Sequence, residues 1–262
     1  MTGSLEKVLR AQRDAGRKLL LPYVTGGLAG WQDAIRAAAL AGADGVEVGI
    51  PFSDPVMDGP VIQQASEMAL AAGATPVNVL EELRRLDAGI PVAVMTYYNI
   101  VFRAGDDRFA RSLADAGVAA AIVPDLPLEE ADPLGDAAAA KDLSLVLLAA
   151  PTTPPDRLRR IGERTRGFLY FVSITGVTGA RAALPADLPA RLDAVRAASQ
   201  APVAVGFGIS APEQAAALAE HTDAVVVGSA LVAEINRSSG KTEGPVALVS
   251  SLARAVHAVR AR

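Results

Sequence analysis

Eight short apolar segments, each followed by a helix-like segment, are the feature that most restricts how this chain can fold. The predicted strands cover residues 19–24, 45–48, 92–96, 119–123, 145–149, 168–172, 203–205 and 224–227. Alternating strands and helices require a parallel sheet, and runs rich in Val, Ile, Leu and Ala are typical of strands buried on both faces. Eight such units predict a closed (β/α)8 barrel.

The helical segments add detail to this architecture. Apolar residues at helical spacing predict helices at residues 5–15, 31–41, 61–72, 77–86, 108–116, 129–140, 155–163, 188–198, 212–220, 230–236 and 246–261. The sequence therefore predicts a single-domain (β/α)8 TIM barrel over residues 1–262, with extra N-terminal and loop helices. The alternative is an open doubly wound sheet, which usually carries Gly-x-Gly-x-x-Gly after its first strand. Here Thr25-Gly26-Gly27-Leu28 follows that strand instead.

Composition excludes several classes of protein. Hydrophobic residues make up 51% and charged residues 21%, which is typical of a globular protein. The formal net charge of -4 argues against nucleic acid as a partner. No apolar run approaches the roughly 18 residues that span a bilayer, and the charged N-terminus lacks the apolar segment of a secretory signal. We therefore expect no membrane partner and a cytoplasmic protein, and the lack of cysteine excludes disulfides and thiolate metal sites.

One predicted strand carries an acid and is followed by a proline-rich turn with a second acid. In Val46-Glu47-Val48 the two valines share one face of the strand, so Glu47 lies on the other. An unpaired carboxylate in an apolar interior is costly, so proteins keep one mainly where chemistry needs it. The prolines of the turn restrict the backbone around Asp58. The alternatives are a paired acid at the barrel rim for Glu47 and a helix cap for Asp58.

Glycine-rich loops follow the last three predicted strands. They are Gly176-Val177-Thr178-Gly179, Gly206-Phe207-Gly208 and Gly228-Ser229. Glycines let backbone N–H groups approach an anion, helix N-termini favour negative charge, and barrels commonly bind phosphate after strands seven and eight. A single Gly-x-Gly is also typical of an ordinary turn. The combination of loops indicates a phosphate monoester as ligand.

The placement of lysine and histidine narrows the chemistry further. No lysine falls at the C-terminal end of a predicted strand, so we expect no Schiff base; the lysines are Lys7, Lys18, Lys141 and Lys241. His221 and His257 are predicted at the surface of outer or terminal helices, so we expect no metal held by imidazoles. Acid/base catalysis by carboxylates and a tyrosine hydroxyl on a phosphorylated substrate remains. Cleavage of a carbon–carbon bond would then need an electron sink in the substrate.

At these residues the sequence resembles the α subunit of tryptophan synthase, over essentially the whole chain. The matching segments are EVGIPFSDPVMDGPVIQQA, LPYVTGG, MTYYNIVF, VPDLPLEE, TGVTGAR and VGFGISAPEQ. The resemblance implies a lyase of tryptophan biosynthesis that reversibly cleaves indole-3-glycerol phosphate to indole and glyceraldehyde 3-phosphate by a retro-aldol reaction. In that reaction the indole ring, protonated at C3, is the electron sink.

The resemblance also implies roles for individual residues. Glu47 would deliver and collect the protons, and burial would keep it protonated near neutral pH. Asp58 would accept a hydrogen bond from the indole N–H while ionised, and Tyr170, unless it is only a core aromatic, would lie near the reacting hydroxyl. The other implied contacts are Asp125 as a supporting acid, Tyr23 and Met95 in the indole pocket, Gly179, Phe207, Gly208, Gly228 and Ser229 at the phosphate, and Thr178 in a lid at about residues 173–184. Met95 fits a core position equally well.

The resemblance implies a partner as well. The family works as an α2β2 heterotetramer with a tryptophan synthase β subunit, which carries pyridoxal phosphate; no cofactor or metal is expected in this chain. Residues 51–60 and 96–102 are the implied contact loops. Met57 and Tyr23 stand where relatives commonly have alanine and phenylalanine, which we expect to alter packing rather than chemistry.

Two alternative functions stay open from the sequence. One is another barrel enzyme acting on a sugar phosphate, such as an isomerase. The other is a non-catalytic, phosphate-binding barrel that acts as a regulatory subunit. A barrel of the second kind would be free to lose Glu47 and Asp58, and both are present.

Overall fold

The structure is a computed structural model that describes residues 5–172, 187–206, 208–238 and 240–260. Eight parallel strands close into a barrel in chain order, each bonded to the next and the last to the first. The strands are β1 (Leu19–Thr25), β2 (Val46–Gly49), β3 (Val92–Met95), β4 (Ala120–Ile122), β5 (Ser144–Ala149), β6 (Leu169–Val172), β7 (Val203–Gly206) and β8 (Ala224–Val227). The predicted (β/α)8 barrel is confirmed.

Helices surround the barrel and account for the predicted additions. They are α1 (Leu5–Asp14), α2 (Trp31–Leu40), α3 (Pro60–Ala71), α4 (Pro76–Arg84), α5 (Tyr98–Ala104), α6 (Asp106–Asp115), α7 (Asp132–Ala139), α8 (Pro155–Arg164), α9 (Leu188–Ala198), α10 (Pro212–Ala219), α11 (Ser229–Ser238) and α12 (Glu243–Ala258), with a 3-10 turn at Leu128–Glu130. Within the described ranges, no helix combines the length and apolar character needed to cross a bilayer.

Helix α5 lies where the sequence predicted a loop. It begins directly after β3, and its first backbone N–H, at Tyr98, donates to Asp125 Oδ1 at 2.8 Å. Asp125 follows β4, so the cap of this helix comes from a neighbouring strand rather than from the residues before it. A capping acid satisfies a donor that the helix itself leaves unpaired and so stabilises its first turn.

The strands separate two apolar clusters. Side chains such as Val46, Val48 and Val94 pack outward against the helices. Side chains on the opposite face of the strands point inward and fill the barrel. This inner cluster contains Leu19, Leu21, Ala93, Ala120, Ile122, Val146, Phe168, Tyr170, Ala204, Ala224 and Val226. Leu5 and Leu9 of α1 join it and are almost fully buried. Helix α1 therefore closes the N-terminal end of the barrel, and the C-terminal end is the mouth.

Both histidines are half-buried rather than exposed, and the prediction of surface positions missed the contacts that His257 makes. Its side chain is 23% exposed, and its Nε2 lies 2.9 Å from Oδ2 of the buried Asp44. Arg17 lies 2.9 Å from the other oxygen of Asp44, and the backbone N–H of Leu20 donates to Oδ2 at 2.8 Å. A buried carboxylate needs such partners. The group fastens α12 to the start of the barrel, away from its mouth.

Candidate active site

Glu47 lies inside the barrel wall, on the middle of β2. It is paired in register with Tyr23 on β1 and with Ala93 on β3. Its neighbours Val46 and Val48 pack against the helices, so the carboxyl group points inward, where Ala93 and Tyr170 also point. Only 1% of Glu47 is exposed.

The surroundings of Glu47 favour its neutral form. Burial raises the pKa of Glu47 to about 8, and the Tyr170 hydroxyl lowers it by a smaller amount. The two groups face each other without reaching the geometry of an ordinary hydrogen bond, and neither oxygen of Glu47 has another partner in the described part of the chain. At neutral pH the group therefore carries a proton that it can donate to a ligand.

Asp58 lies in the turn between β2 and α3 and is half-buried. Its backbone N–H donates to Pro55 O at 3.0 Å, and its carbonyl oxygen accepts from Gln63 Nε2 at 2.8 Å. Burial raises the pKa of Asp58 to about 6, and the Tyr97 hydroxyl lowers it by a smaller amount. Asp58 is therefore mostly ionised at neutral pH, whereas Glu47 is mostly protonated.

The two acids share neutral tyrosines. Burial, and then the negative charges of the acids, raise the pKa of both Tyr23 and Tyr170. Asp58 and Glu47 each act on both tyrosines, so the four side chains form one group at the mouth. The two phenols stay protonated across the pH range in which the acids titrate, and they can donate hydrogen bonds to a ligand.

Two glycines make room for these tyrosines; the sequence had indicated Gly206 only as part of a phosphate loop, and Gly49 had no predicted role. A Cβ atom at Gly49 would overlap the Tyr23 hydroxyl, and one at Gly206 would lie 3.1 Å from the Tyr170 hydroxyl. Each glycine ends a strand, β2 or β7, beside the tyrosine it accommodates. The phenols can therefore reach over the ends of the neighbouring strands.

Tyr97 is a residue of this group that the predicted site did not include. Its ring is 4% exposed and stacks on Phe52, with centroids 5.1 Å apart and an angle of 22° between the rings. Its hydroxyl accepts a hydrogen bond from the Met57 N–H at 3.0 Å. The available signal was the pair of tyrosines after β3, in the segment MTYYN. The partners of Tyr97 lie about forty residues earlier in the chain, and the segment itself does not reveal them.

The remaining predicted residues fall into four groups. Met95 ends β3 and is half-buried against the inner cluster. Asp125 is exposed, and one of its oxygens caps α5. Gly208, Gly228 and Ser229 follow β7 and β8; Gly208 has a φ of +66°, and a Cβ at Gly228 would lie 3.6 Å from Tyr23 Cβ. Thr178, Gly179, Phe207 and the predicted lid lie outside the described residues.

The mouth combines groups that suit proton transfer to and from an anionic ligand. It offers a neutral acid, an ionised acid, neutral phenols and glycine loops, one of which opens helix α11 at Ser229. Across the described ranges, no group of three or more His, Cys, Asp or Glu side chains is placed to hold a metal ion. The acids and phenols at the mouth suit general acid/base catalysis.

Comparisons with known proteins agree with this arrangement. The family model for the tryptophan synthase alpha chain matches residues 9–260. The alpha chain of Alkalilimnicola ehrlichii is 46% identical over 262 residues, which cover 98% of this chain and 94% of that one. Tryptophan synthase from Mycobacterium tuberculosis is similar in structure, with a TM-score of 0.89 at 38% identity over 98% of this chain and 99% of that one. The alpha subunit of Legionella pneumophila has a TM-score of 0.86 at 34% identity, covering 99% of this chain and 100% of its own. The chain belongs to the tryptophan synthase alpha chain family.

Proposed function

We propose that this chain catalyses the α reaction of tryptophan synthase at the mouth of the barrel, with Glu47 and Asp58 as the catalytic residues. The reaction cleaves indole-3-glycerol phosphate into indole and glyceraldehyde 3-phosphate. The family decides against the two alternatives, a sugar-phosphate isomerase and a regulatory barrel. The observation that carries the assignment of residues is the inward-facing carboxyl of Glu47, which is buried and has no hydrogen-bond partner in the described chain.

Glu47 moves both protons of the reaction. Its neutral carboxyl group gives a proton to C3 of the indole ring, which becomes an indolenine cation. The resulting carboxylate then takes the proton of the glycerol hydroxyl as the carbon–carbon bond breaks. The electron pair of that bond returns to the ring, and Glu47 is protonated again at the end of the cycle. A pKa of about 8 suits both steps, because the group must give and regain a proton near neutral pH.

Asp58 stabilises the positive charge that develops on the ring. As a carboxylate it accepts the hydrogen bond of the indole N–H, and the bond strengthens as protonation at C3 makes that N–H more acidic. The half-buried position supports this role, since a charge acts more strongly there than in bulk water. Tyr170 faces Glu47 and is assigned to the reacting hydroxyl, with Asp125 as a supporting acid.

The rest of the substrate is assigned to the residues around this pair. Tyr23 and Met95 line the pocket of the indole ring. Backbone N–H groups of the glycine loops and the N-terminus of α11 hold the phosphate, through Gly179, Phe207, Gly208, Gly228 and Ser229. Thr178 approaches the acids when the predicted lid closes. A Cβ at Gly208 would meet no atom of the described residues within 4 Å, and Gly228 lies beside Tyr23; both observations support this assignment.

A tryptophan synthase β subunit is the proposed partner, in an α2β2 assembly in which that subunit carries pyridoxal phosphate. Exposed apolar side chains in the turn after β2 and on α5 support it: Val56 is 79% exposed, Met57 54% and Phe102 74%. Neighbouring exposed apolar residues of this kind often mark a protein interface. Indole passing directly to the partner would explain why these residues surround the mouth.

The test is release of indole from indole-3-glycerol phosphate by the purified chain, with and without a β subunit. We expect slow release by the chain alone and faster release in the complex. Glu47→Gln and Asp58→Asn should each abolish release while circular dichroism and the melting temperature show an intact fold. Substantial turnover by either variant would overturn its assignment, and no release by the wild-type chain under either condition would overturn the function.

A further inference from the structure

Tyr97 stands at the junction between β3 and α5, where its ring cannot move freely. The residue precedes the first turn of α5, with extended backbone angles (φ -91°, ψ 146°). Its ring is buried and stacked on Phe52, which belongs to the turn after β2. The hydroxyl is therefore held at a fixed place beside that turn.

The turn itself has few bonds to the rest of the molecule. Its backbone bonds are local, from Val56 N–H to Asp54 O at 2.9 Å and from Asp58 N–H to Pro55 O at 3.0 Å. Other bonds of residues 51–59 go to the first turns of α3, and the hydrogen bond from the Met57 N–H to the Tyr97 hydroxyl is the one that reaches the junction between β3 and α5 in the described chain. Tyr97 thus ties the turn that carries Asp58 to the barrel wall.

The hydrogen bond from Met57 also determines that the Tyr97 hydroxyl acts as a donor toward its other neighbours. A phenol has one proton and acceptor lone pairs, and the Met57 N–H occupies a lone pair. The O–H group of Tyr97 therefore remains free to donate a hydrogen bond. The acceptor with which it interacts is the Asp58 carboxylate. The two side chains interact without reaching ordinary hydrogen-bond geometry, which suits a contact that tightens when a ligand binds.

We propose that Tyr97 is a positioning residue of the reaction: its hydroxyl accepts from the Met57 amide, donates to Asp58, and so keeps that carboxylate ionised and aimed at the ligand. The inference rests on the proposed function, because it assigns Tyr97 a role through Asp58. It differs from a purely structural role because it ties the phenol to the protonation state of one acid.

The other described titratable groups around Asp58 do not lower its pKa by hydrogen bonding. Tyr23 on β1 and Tyr170 on β6 also interact with Asp58, and Glu47 interacts with both of those tyrosines. The pKa of Tyr97 is raised by burial first and then by Asp58, with a smaller effect of Asp125 at the end of β4. Tyr97 is the tyrosine that lowers the pKa of Asp58 by hydrogen bonding.

The test compares pH profiles of kcat/KM for indole release by the full chain with its β subunit. Loss of the donor in Tyr97→Phe should move the acid limb of the profile up by about one pH unit, since a hydrogen bond to a charged group is worth about that much. The activity loss should then be about five times larger at pH 6 than at pH 8. A structural role alone would lower kcat/KM by the same factor at every pH, and that result would overturn the inference.

Tyr98→Phe is the matched control. It removes a phenol one residue further along the chain, where the charges that act on the hydroxyl are those of Asp106 and Glu130 rather than the active-site acids. The acid limb of this variant should stay where it is in the wild type. An equal shift in both variants would contradict a specific role for Tyr97.

A second measurement keeps the inference testable if Tyr97→Phe does not fold. Site-specific 3-fluorotyrosine at position 97 keeps the ring and makes the hydroxyl a stronger donor, so the pKa of Asp58 should fall. Carbon-13 NMR of the aspartate carboxyl groups measures that pKa, with the resonance assigned by its loss in Asp58→Asn. An unchanged Asp58 titration would overturn the inference. This measurement needs no turnover, so it tests the inference even if the proposed function fails. Failure of the proposed function would show itself separately, as absence of indole release by the wild type.

Discussion

Glu47 and Asp58 are both acids at one barrel mouth, yet their surroundings give them different protonation states. Glu47 is fully buried, which raises its pKa to about 8. Asp58 is half-buried and the nearby Tyr97 hydroxyl opposes the effect of burial, so its pKa is raised only to about 6. Pairs of acids whose environments separate their pKa values are typical of acid/base catalysis. Between these two values each acid is in the form that the proposed reaction needs.

The first prediction is a bell-shaped pH dependence of kcat/KM for indole release. The rate should rise with pH as Asp58 ionises near pH 6 and fall as Glu47 loses its proton near pH 8. The measurement is kcat/KM at fixed ionic strength from pH 5 to pH 9. A profile that still rises between pH 8 and pH 9 would show that a protonated Glu47 is not required.

The second prediction concerns stability and the same buried acid. The folded chain binds the Glu47 proton up to about pH 8, whereas the unfolded chain releases it near the ordinary value of 4.5. Folding stability attributable to this group is therefore lost as pH rises between these values, by roughly 3 kcal/mol from pH 5 to pH 8. Glu47→Gln removes this loss.

Urea unfolding at pH 5 and pH 8 checks this expectation. The free energy of unfolding of Glu47→Gln should exceed that of the wild type at pH 8, and the difference should shrink at pH 5. Asp58→Asn is the control, because a half-buried acid with a smaller pKa shift should produce a smaller change. Equal pH dependence in the wild type and Glu47→Gln would contradict the neutral, buried carboxyl.

At the scale of elements, the site depends on how neighbouring strands end. Strand β1 places Tyr23 beside Glu47 on β2, and β2 ends in Gly49, which leaves the space that the Tyr23 hydroxyl fills. Strand β7 ends in Gly206 in the same relation to Tyr170 on β6. Strand ends without side chains therefore let phenols from adjacent strands reach over them.

The third prediction tests this relation between strands. Gly49→Ala should destabilise the chain by about 1–3 kcal/mol, the usual cost of overpacking, because its Cβ would overlap the Tyr23 ring and hydroxyl. Gly228→Ala is the matched control, since its Cβ would stand at an ordinary 3.6 Å from Tyr23 Cβ. Thermal and urea unfolding measure both variants. A loss in Gly228→Ala as large as in Gly49→Ala would argue against the overlap as the cause.

The elements also show what local sequence can and cannot reveal. Buried parallel strands leave continuous apolar runs, and each of the eight observed strands overlaps a predicted one. Helix α5 escaped prediction because it is seven residues long and its cap, Asp125, lies 27 residues further along the chain. The contacts of His257 were missed for a similar reason, since its partner Asp44 is 213 residues away. The misses are long-range contacts.

In the candidate site, too, residues with a local sequence pattern were predicted and residues that depend on long-range contacts were not. Glu47 and Asp58 were visible because an acid in an apolar strand and a rigid acidic turn are local patterns. Tyr97 was not, because its importance comes from Phe52 and Met57 on another loop. The space that Gly49 and Gly206 leave for tyrosines was not visible either, because it is filled by side chains of other strands.

At the scale of the whole molecule, the two ends of the barrel have different duties. The N-terminal end carries Leu5 and Leu9 of α1 and the group of Arg17, Asp44 and His257. The C-terminal end carries the acids, the phenols and the glycine loops. Such a division is general for this fold, in which one end serves stability and the other chemistry.

The fourth prediction tests this separation of duties. Leu9 is fully buried in the inner cluster, so Leu9→Ala should lower the free energy of unfolding by about 2–5 kcal/mol. The limbs of the pH profile of kcat/KM should stay in place, because the substitution lies at the opposite end from the acids. Urea unfolding and the pH profile measure the two effects. A displaced limb would mean that packing at the N-terminal end controls the site.

Closure of the barrel by α1 also determines where substrate can enter and products can leave. Because the N-terminal end of the barrel is closed, both products must leave through the mouth by which the substrate enters. A partner seated over that opening would then regulate admission, and indole could travel onward only along a route the partner provides. With Leu5 and Leu9 closing the base, the proposed partner would act on substrate entry and product release from the mouth alone.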